Sequence, residues 1–119
     1  VGLPGASIGI GCDFLPARKL LDEGVSLAIA SDWNPGSAPQ GNLLAQASIL
    51  ATYEKLSAAE VFAGITYRAA GALKIKDRGR IASKYAADIV AFQCHDYRQI
   101  LYHQGELKAS YVWKNGEML

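Results

Sequence analysis

The spacing of apolar residues changes along the chain, and the change divides it. Val25-Ser26-Leu27-Ala28-Ile29-Ala30-Ser31 is a short apolar run that stops at Asp32. A loop of Trp33-Asn34-Pro35-Gly36-Ser37-Ala38-Pro39 follows, and then a helical pattern begins. A run of this length bounded by turn residues predicts a buried strand. Side chains alternate faces along a strand, so Val25, Leu27 and Ile29 share one side and Ser26, Ala28, Ala30 and Asp32 the other. Large residues on one face and small ones on the other suit a strand of a (β/α) barrel. That parity aims Asp32 inward at the strand's C-terminal end, where such barrels keep their chemistry.

Upstream, Leu3 to Ser7 reads as a loop, with a small-residue stretch to Cys12. Asp13 is placed to cap a helix from Phe14, with Pro16 tolerated in its first turn. Phe14, Ala17, Leu20 and Leu21 supply the apolar side of that helix, and Gly24 stands at its C′ position. Downstream, a helix is predicted from about Gly41 to Tyr53, because Leu43, Leu44, Ala47, Leu50 and Ala51 recur at helical spacing. Ser57-Ala58-Ala59-Glu60 is a capping box. It opens a third helix carrying Val61, Phe62, Ile65, Ala69 and Leu73, in which Gly64, Ala69 and Ala70 allow a neighbour to approach closely.

After Lys76-Asp77-Arg78-Gly79 the period shortens. Residues 87–92, 100–102 and 108–113 read as short strands, and Asn115-Gly116 is a hairpin turn signal. The order is therefore loop, helix, strand, two or three helices, then a small β region, with a boundary near residue 79.

Composition adds limits. The chain has 119 residues, half of them hydrophobic, and a net charge of +1. That length supports one domain with a modest core. The charge gives no argument for nucleic acid or a membrane surface as partner. No stretch of about 18 apolar residues is present to span a bilayer, and no signal peptide is visible. The opening Val1-Gly2-Leu3-Pro4 reads like the middle of a longer protein. Cys12 and Cys94 fall in no motif and read as reduced thiols of a cytoplasmic protein.

Asp32 is the main chemical candidate. A carboxylate ending a buried strand binds a metal, moves protons, or caps the next turn. Asn34, Gly36 and Ser37 follow it, and such a loop can present an amide, a backbone N–H and a hydroxyl to a small polar ligand; the plain alternative is an Asn-Pro-Gly turn. His95 and His103 have no second ligand at helical metal spacing and read as surface or packing residues. No nucleophile elbow, Walker loop or dinucleotide glycine pattern occurs. Tyr97, Tyr102, Tyr111 and Trp113 read as the apolar side of the small β region.

Several blocks resemble the metal-dependent amidohydrolase superfamily, and within it the imidazolonepropionase family. Leu3-Pro4-Gly5-Ala6 is similar to the loop after the seventh barrel strand, and Ala30-Ser31-Asp32 through Pro39 to the eighth strand and its loop. Val61 to Ala70 with Leu73 resembles the helix that follows. Gly79-Arg80-Ile81 with Ala87-Asp88-Ile89-Val90 resembles the return into a small β-sandwich. The superfamily's usual Gly-Lys pair is replaced here by Ser83-Lys84-Tyr85, a local departure. The resemblance implies an α/β fold: residues 1–79 the C-terminal part of a (β/α)8 amidohydrolase barrel, and residues 80–119 a β-sandwich segment.

It further implies one zinc or iron ion, with Asp32 as a ligand and as the catalytic proton carrier, and Asn34, Gly36 and Ser37 as substrate-binding positions. The His-x-His pair, the third His and the catalytic Glu and His of the family lie outside this chain, which on its own is then inactive. The implied reaction opens the ring of 4-imidazolone-5-propanoate with water to give N-formimino-glutamate. Another amidohydrolase activity, such as nucleobase deamination, and a non-catalytic α/β interaction module are the alternatives. A slice of barrel with open faces is also expected to self-associate, as a homo-oligomer.

Overall fold

In the computed structural model, which describes residues 1–119, five helices are followed by three strands, with a sixth helix between the first two strands. The helices are α1 (Pro4–Ile10), α2 (Ala17–Asp22), α3 (Leu43–Glu54), α4 (Ala58–Ile65), α5 (Tyr67–Ala72) and α6 (Arg98–Tyr102). The strands are β1 (Ile89–Phe92), β2 (Ala109–Lys114) and β3 (Glu117–Met118).

The residues from Val25 to Ser31 make one parallel bridge, Gly2 with Ile29, rather than a full strand. The Gly2 N–H donates to Ala28 O at 2.8 Å, and the Ala30 N–H donates back to Gly2 O at 3.0 Å. On the other flank the Ile29 N–H donates to Gly64 O at 3.0 Å, one of the carbonyls a helix leaves free at its C-terminal end. Gly64 is where α4 meets this segment: a Cβ there would lie 3.0 Å from Ile29 Cδ1. The expected face holds at its centre. Leu27 and Ile29 are buried with Ala17, Ala47, Leu50, Val61 and Leu101 in one cluster, whereas Val25 is exposed.

Local signals produce several elements as expected. Asn42 caps α3, its side-chain oxygen accepting from the Ala45 N–H at 3.2 Å. The capping box of α4 closes in both directions, Glu60 N–H to Ser57 Oγ at 3.3 Å and Ser57 N–H to Glu60 Oε2 at 2.8 Å. Gly24 ends α2 in a Schellman turn, with Gly24 N–H on Leu21 O and Val25 N–H on Leu20 O. Asn115 and Gly116 both take positive φ, 52° and 85°, as a two-residue β-hairpin turn requires.

Elsewhere the chain departs from those expectations. Leu3 to Ser7 is mostly helix, because Pro4 supplies a fixed φ and needs no N–H at the first position of α1. The second helix starts at Ala17 with Pro16 at its N-cap, so Asp13 caps nothing. The helix after Ser57 breaks at Thr66 (φ −123°, ψ −102°), where the Thr66 hydroxyl donates to Phe62 O at 2.5 Å. Residues 100–102 are helical, not extended. Asp96 Oδ1 accepts from the Arg98 N–H at 2.8 Å and turns the chain, which lets α6 seat Leu101 in the core.

The three strands form one antiparallel sheet in the order β1-β2-β3, with Ile89 opposite Trp113 and a bulge between Ala91 and Phe92. Helix α3 packs against α1, α4 and α6 and is the hub of the helical layer. The buried Ser48 hydroxyl sits between Leu44 O (2.6 Å) and Leu101 O (2.8 Å) and ties α6 to α3. No helix is long and apolar enough to cross a membrane.

Candidate active-site loop

The bridge between Gly2 and Ile29 joins two parallel segments with helices α1 and α2 between them, the connection parallel strands require. Both segments end on the same side. One runs straight into α1 at Pro4, and the other into Asp32.

Asp32 is exposed and has φ +49°, a left-handed conformation that Asp tolerates better than most residues. Its carboxylate takes no hydrogen bond or ion pair from the chain, whereas its backbone carbonyl accepts from Asn34 Nδ2 at 2.6 Å. Asn34 organises everything after it. Its side-chain oxygen accepts the N–H groups of Gly36 and Ser37, each at 2.9 Å, and its amide reaches Ser37 Oγ at 3.2 Å. The Asn34 N–H donates to Ala38 O at 3.1 Å, closing a small antiparallel bridge. Ala38 is buried, so the loop is pinned at its far end. Asn34, Gly36 and Ser37 thus stand together as one rigid unit two to five residues beyond Asp32, with their polar groups bonded to one another.

Residues outside the loop also shape it, and they were not evident from the loop's own sequence. Gln46 of α3 is buried, and its amide donates to Gln40 O, fixing the chain where the loop ends. Space for that amide exists only because Gly5 has no side chain: a Cβ there would lie 2.6 Å from Gln46 Nε2. The readable sign was a glutamine on the apolar stripe of α3, between Leu43 and Leu50. Gly9 of α1 lies under Ser37, with no room for a Cβ. Trp33 is 74 % exposed and holds the loop's outer edge, its indole N–H donating to Pro39 O at 3.2 Å.

No three His, Cys, Asp or Glu side chains come together anywhere in the chain. Asp32 therefore fits a metal as a single hard oxygen donor and not as a complete ligand set. His95 and His103 are exposed and remote from it in sequence, His103 resting edge-on against the Tyr102 ring. Cys12 and Cys94 are unpaired. A cavity of about 620 Å³ lies between α4 and β1 and is lined by Phe62, Ile65, Ile89, Val90 and Phe92 among others. None of Asp32, Asn34, Gly36 or Ser37 reaches it.

Residues 9–119 match the Amidohydrolase family. Among curated proteins the chain is 36 % identical over 118 residues to an imidazolonepropionase of Bacillus cytotoxicus, covering 98 % of this chain and 28 % of that protein. It is 38 % identical over 117 residues to that of Bacillus velezensis (97 % and 28 %), and 36 % identical over 118 residues to that of Fusobacterium nucleatum (98 % and 29 %). The chain thus spans a little over a quarter of the length of these relatives. Among solved structures, an adenosine deaminase of Xanthomonas campestris with bound zinc superposes with a TM-score of 0.81 at 26 % identity, covering 98 % of this chain and 30 % of that one. An atrazine chlorohydrolase of Arthrobacter aurescens, complexed with zinc and atraton, shares the fold with a TM-score of 0.76 at 23 % identity and the same coverage. The family match over nearly the whole chain agrees with an α/β unit in which one of two parallel-bridged segments ends at a carboxylate, and this chain belongs to the amidohydrolase family.

Proposed function

We propose that this chain is the C-terminal part of a metal-dependent amidohydrolase that opens the ring of 4-imidazolone-5-propanoate to N-formimino-glutamate. The observation that carries the reading is the Asp32 loop: an unpaired carboxylate at the end of a parallel-bridged segment, followed at once by a rigid Asn34–Ser37 unit. The identity to imidazolonepropionases across 98 % of the chain supports the substrate. On this reading residues 1–79 are the last part of a (β/α)8 barrel and residues 80–119 a segment of its β-sandwich.

Asp32 is one metal ligand, and the remaining ligands belong to the part of the longer protein that the relatives carry and this chain does not. A bound zinc or iron ion supplies the chemistry of lowering a water's pKa to about 7. Asp32 would be the proton carrier of the site, placed to take a proton from the attacking water and to return it to the departing ring nitrogen. Asn34, Gly36 and Ser37 hold the ring and its carboxylate arm in line for attack. The unpaired Cys12 and Cys94 support a cytoplasmic setting.

The test is turnover of imidazolonepropanoate by the full-length protein, followed as loss of the ring's absorbance. Asp32→Asn is expected to lower the rate by roughly 10²- to 10⁴-fold, the range for a lost general acid–base group, and to lower the metal content. Absence of turnover with both zinc and iron supplied overturns the assignment. Release of ammonia from a nucleobase instead favours a deaminase, a second reading supported by the superposition on the adenosine deaminase. An unchanged rate in Asp32→Asn favours a non-catalytic module in which Asp32 only turns the chain.

A further inference from the structure

We propose that Gly9 is a positioning residue for the substrate loop: the missing side chain on α1 lets the Ser37 carbonyl rest against the helix and sets where Asn34, Gly36 and Ser37 stand relative to Asp32. This rests on the reading of that loop as substrate-binding. A Cβ built on Gly9 would lie 1.7 Å from Ser37 O and 2.8 Å from its carbon, so helix and loop are in direct backbone contact. The obstructing atoms are main chain, and no rotamer change relieves the overlap. Gly9 has an ordinary negative φ, so the demand for glycine is steric and not conformational.

The loop has few ways to yield. Ala38, the next residue, is 1 % exposed and anchored in the body. Asn34 Oδ1 binds the N–H groups of both Gly36 and Ser37, so these three residues move together. Asp32 meets that unit only through its backbone carbonyl, which accepts from Asn34 Nδ2, and its carboxylate makes no bond to the loop. The segment before Asp32 is held by the Ala30 N–H on Gly2 O, and Gly2 leads directly into α1. A side chain at position 9 therefore displaces the substrate-binding unit while leaving the catalytic carboxylate nearly in place.

The experiment compares Gly9→Ala with Gly71→Ala in the full-length, metal-loaded protein. Gly71 sits in α5 with open space where its Cβ would go, and it serves as the control for adding a methyl group to a helix. Gly9→Ala is expected to raise KM for imidazolonepropanoate roughly tenfold while kcat stays within about threefold, because ground-state contacts are lost and the reacting groups are not. Amide hydrogen exchange at Gly36 and Ser37 should quicken in Gly9→Ala and not in the control. A protein merely destabilised loses active fraction, which lowers apparent kcat and leaves KM alone; that result, unchanged exchange in the loop, or failure of Gly9→Ala to fold overturns the proposal. If the unaltered enzyme does not turn over imidazolonepropanoate, the substrate reading fails, and exchange in the loop still decides whether Gly9 seats it.

Discussion

Arg18 of α2 grips Glu60 of α4 with both ends of its guanidinium, Nη1 to Oε2 at 3.1 Å and Nη2 to Oε1 at 2.9 Å, while its Nε holds Asp22 at 3.0 Å. The same Glu60 closes the capping box with Ser57, so one carboxylate both starts α4 and fastens it to α2. The Arg18 bonds, followed by the Ser57 N–H, hold the Glu60 carboxyl down at about 2 against an ordinary 4.5. A depressed folded-state pKa stabilises the fold above the unfolded value, and the contribution is lost as pH falls through the folded one. Glu60→Gln is therefore expected to melt several degrees below the parent at pH 7, with the gap narrowing below about 4.5 and closing near 2. A gap independent of pH in thermal melts would refute the charge-based account and leave only the cap.

Asp88 fastens the hairpin in a similar way. Its carboxylate takes Arg78 Nη1 at 2.7 Å, Lys114 Nζ at 2.8 Å and the Asn115 N–H at 2.9 Å. These bonds, Lys114 first, lower its pKa, so the clamp is complete above the ordinary 3.8 and is released on acidification below it. Asp88→Ala should speed hydrogen exchange at Asn115 and Gly116 while leaving α3 and α4 protected. Equal loss of protection in all of these places would mean that Asp88 supports the whole fold and not the turn.

Gly71 offers the opposite prediction. It is the next-to-last residue of α5, with nothing within 4 Å of the point where an added methyl group would sit, and no positive φ. Glycine in a helix interior costs about 0.5–1 kcal/mol relative to alanine. Gly71→Ala should raise the melting temperature by roughly 3–6 °C on the scaling for small domains. A drop on calorimetry would show that another surface packs on this face.

Self-association is the fourth prediction. The accessible surface is 7830 Å², where a compact monomer of this mass exposes roughly 6,200 Å². Only 17 of 119 residues are buried, and Ile8, Ile10, Trp33, Leu73 and Ile81 stand exposed. The excess, about 1,600 Å² on one chain, is roughly twice what a standard interface buries per partner. Sedimentation equilibrium should give a mass above 12.7 kDa that rises with concentration. A monomer across the concentration range would count against the open-face account.

The features legible in the sequence are those whose partners lie within a few residues of one another. Ser57 and Glu60 form a capping box because three residues of helix bring each side chain to the other's N–H. Asn115-Gly116 makes its turn because both residues accept positive φ, and Gly24 ends α2 for a related reason. The stripe of α3 and the alternation of Leu27 and Ile29 follow from element periods alone. Asp32 and its Asn-Pro-Gly loop were likewise visible as a local pattern. Contacts across the chain settled the rest. Residues 100–102 have the composition of a strand, yet Asp96 and the Ser48 hydroxyl turn them into a helix that delivers Leu101 to the core. Thr66 looks helical, yet its hydroxyl bond to Phe62 O and the break there split one expected helix in two. Gly5 and Gly9 gave no sign of their roles, because a glycine's sequence neighbours say nothing about which distant backbone or side chain needs the space it leaves, and only the packing of α1 against Gln46 and Ser37 reveals it.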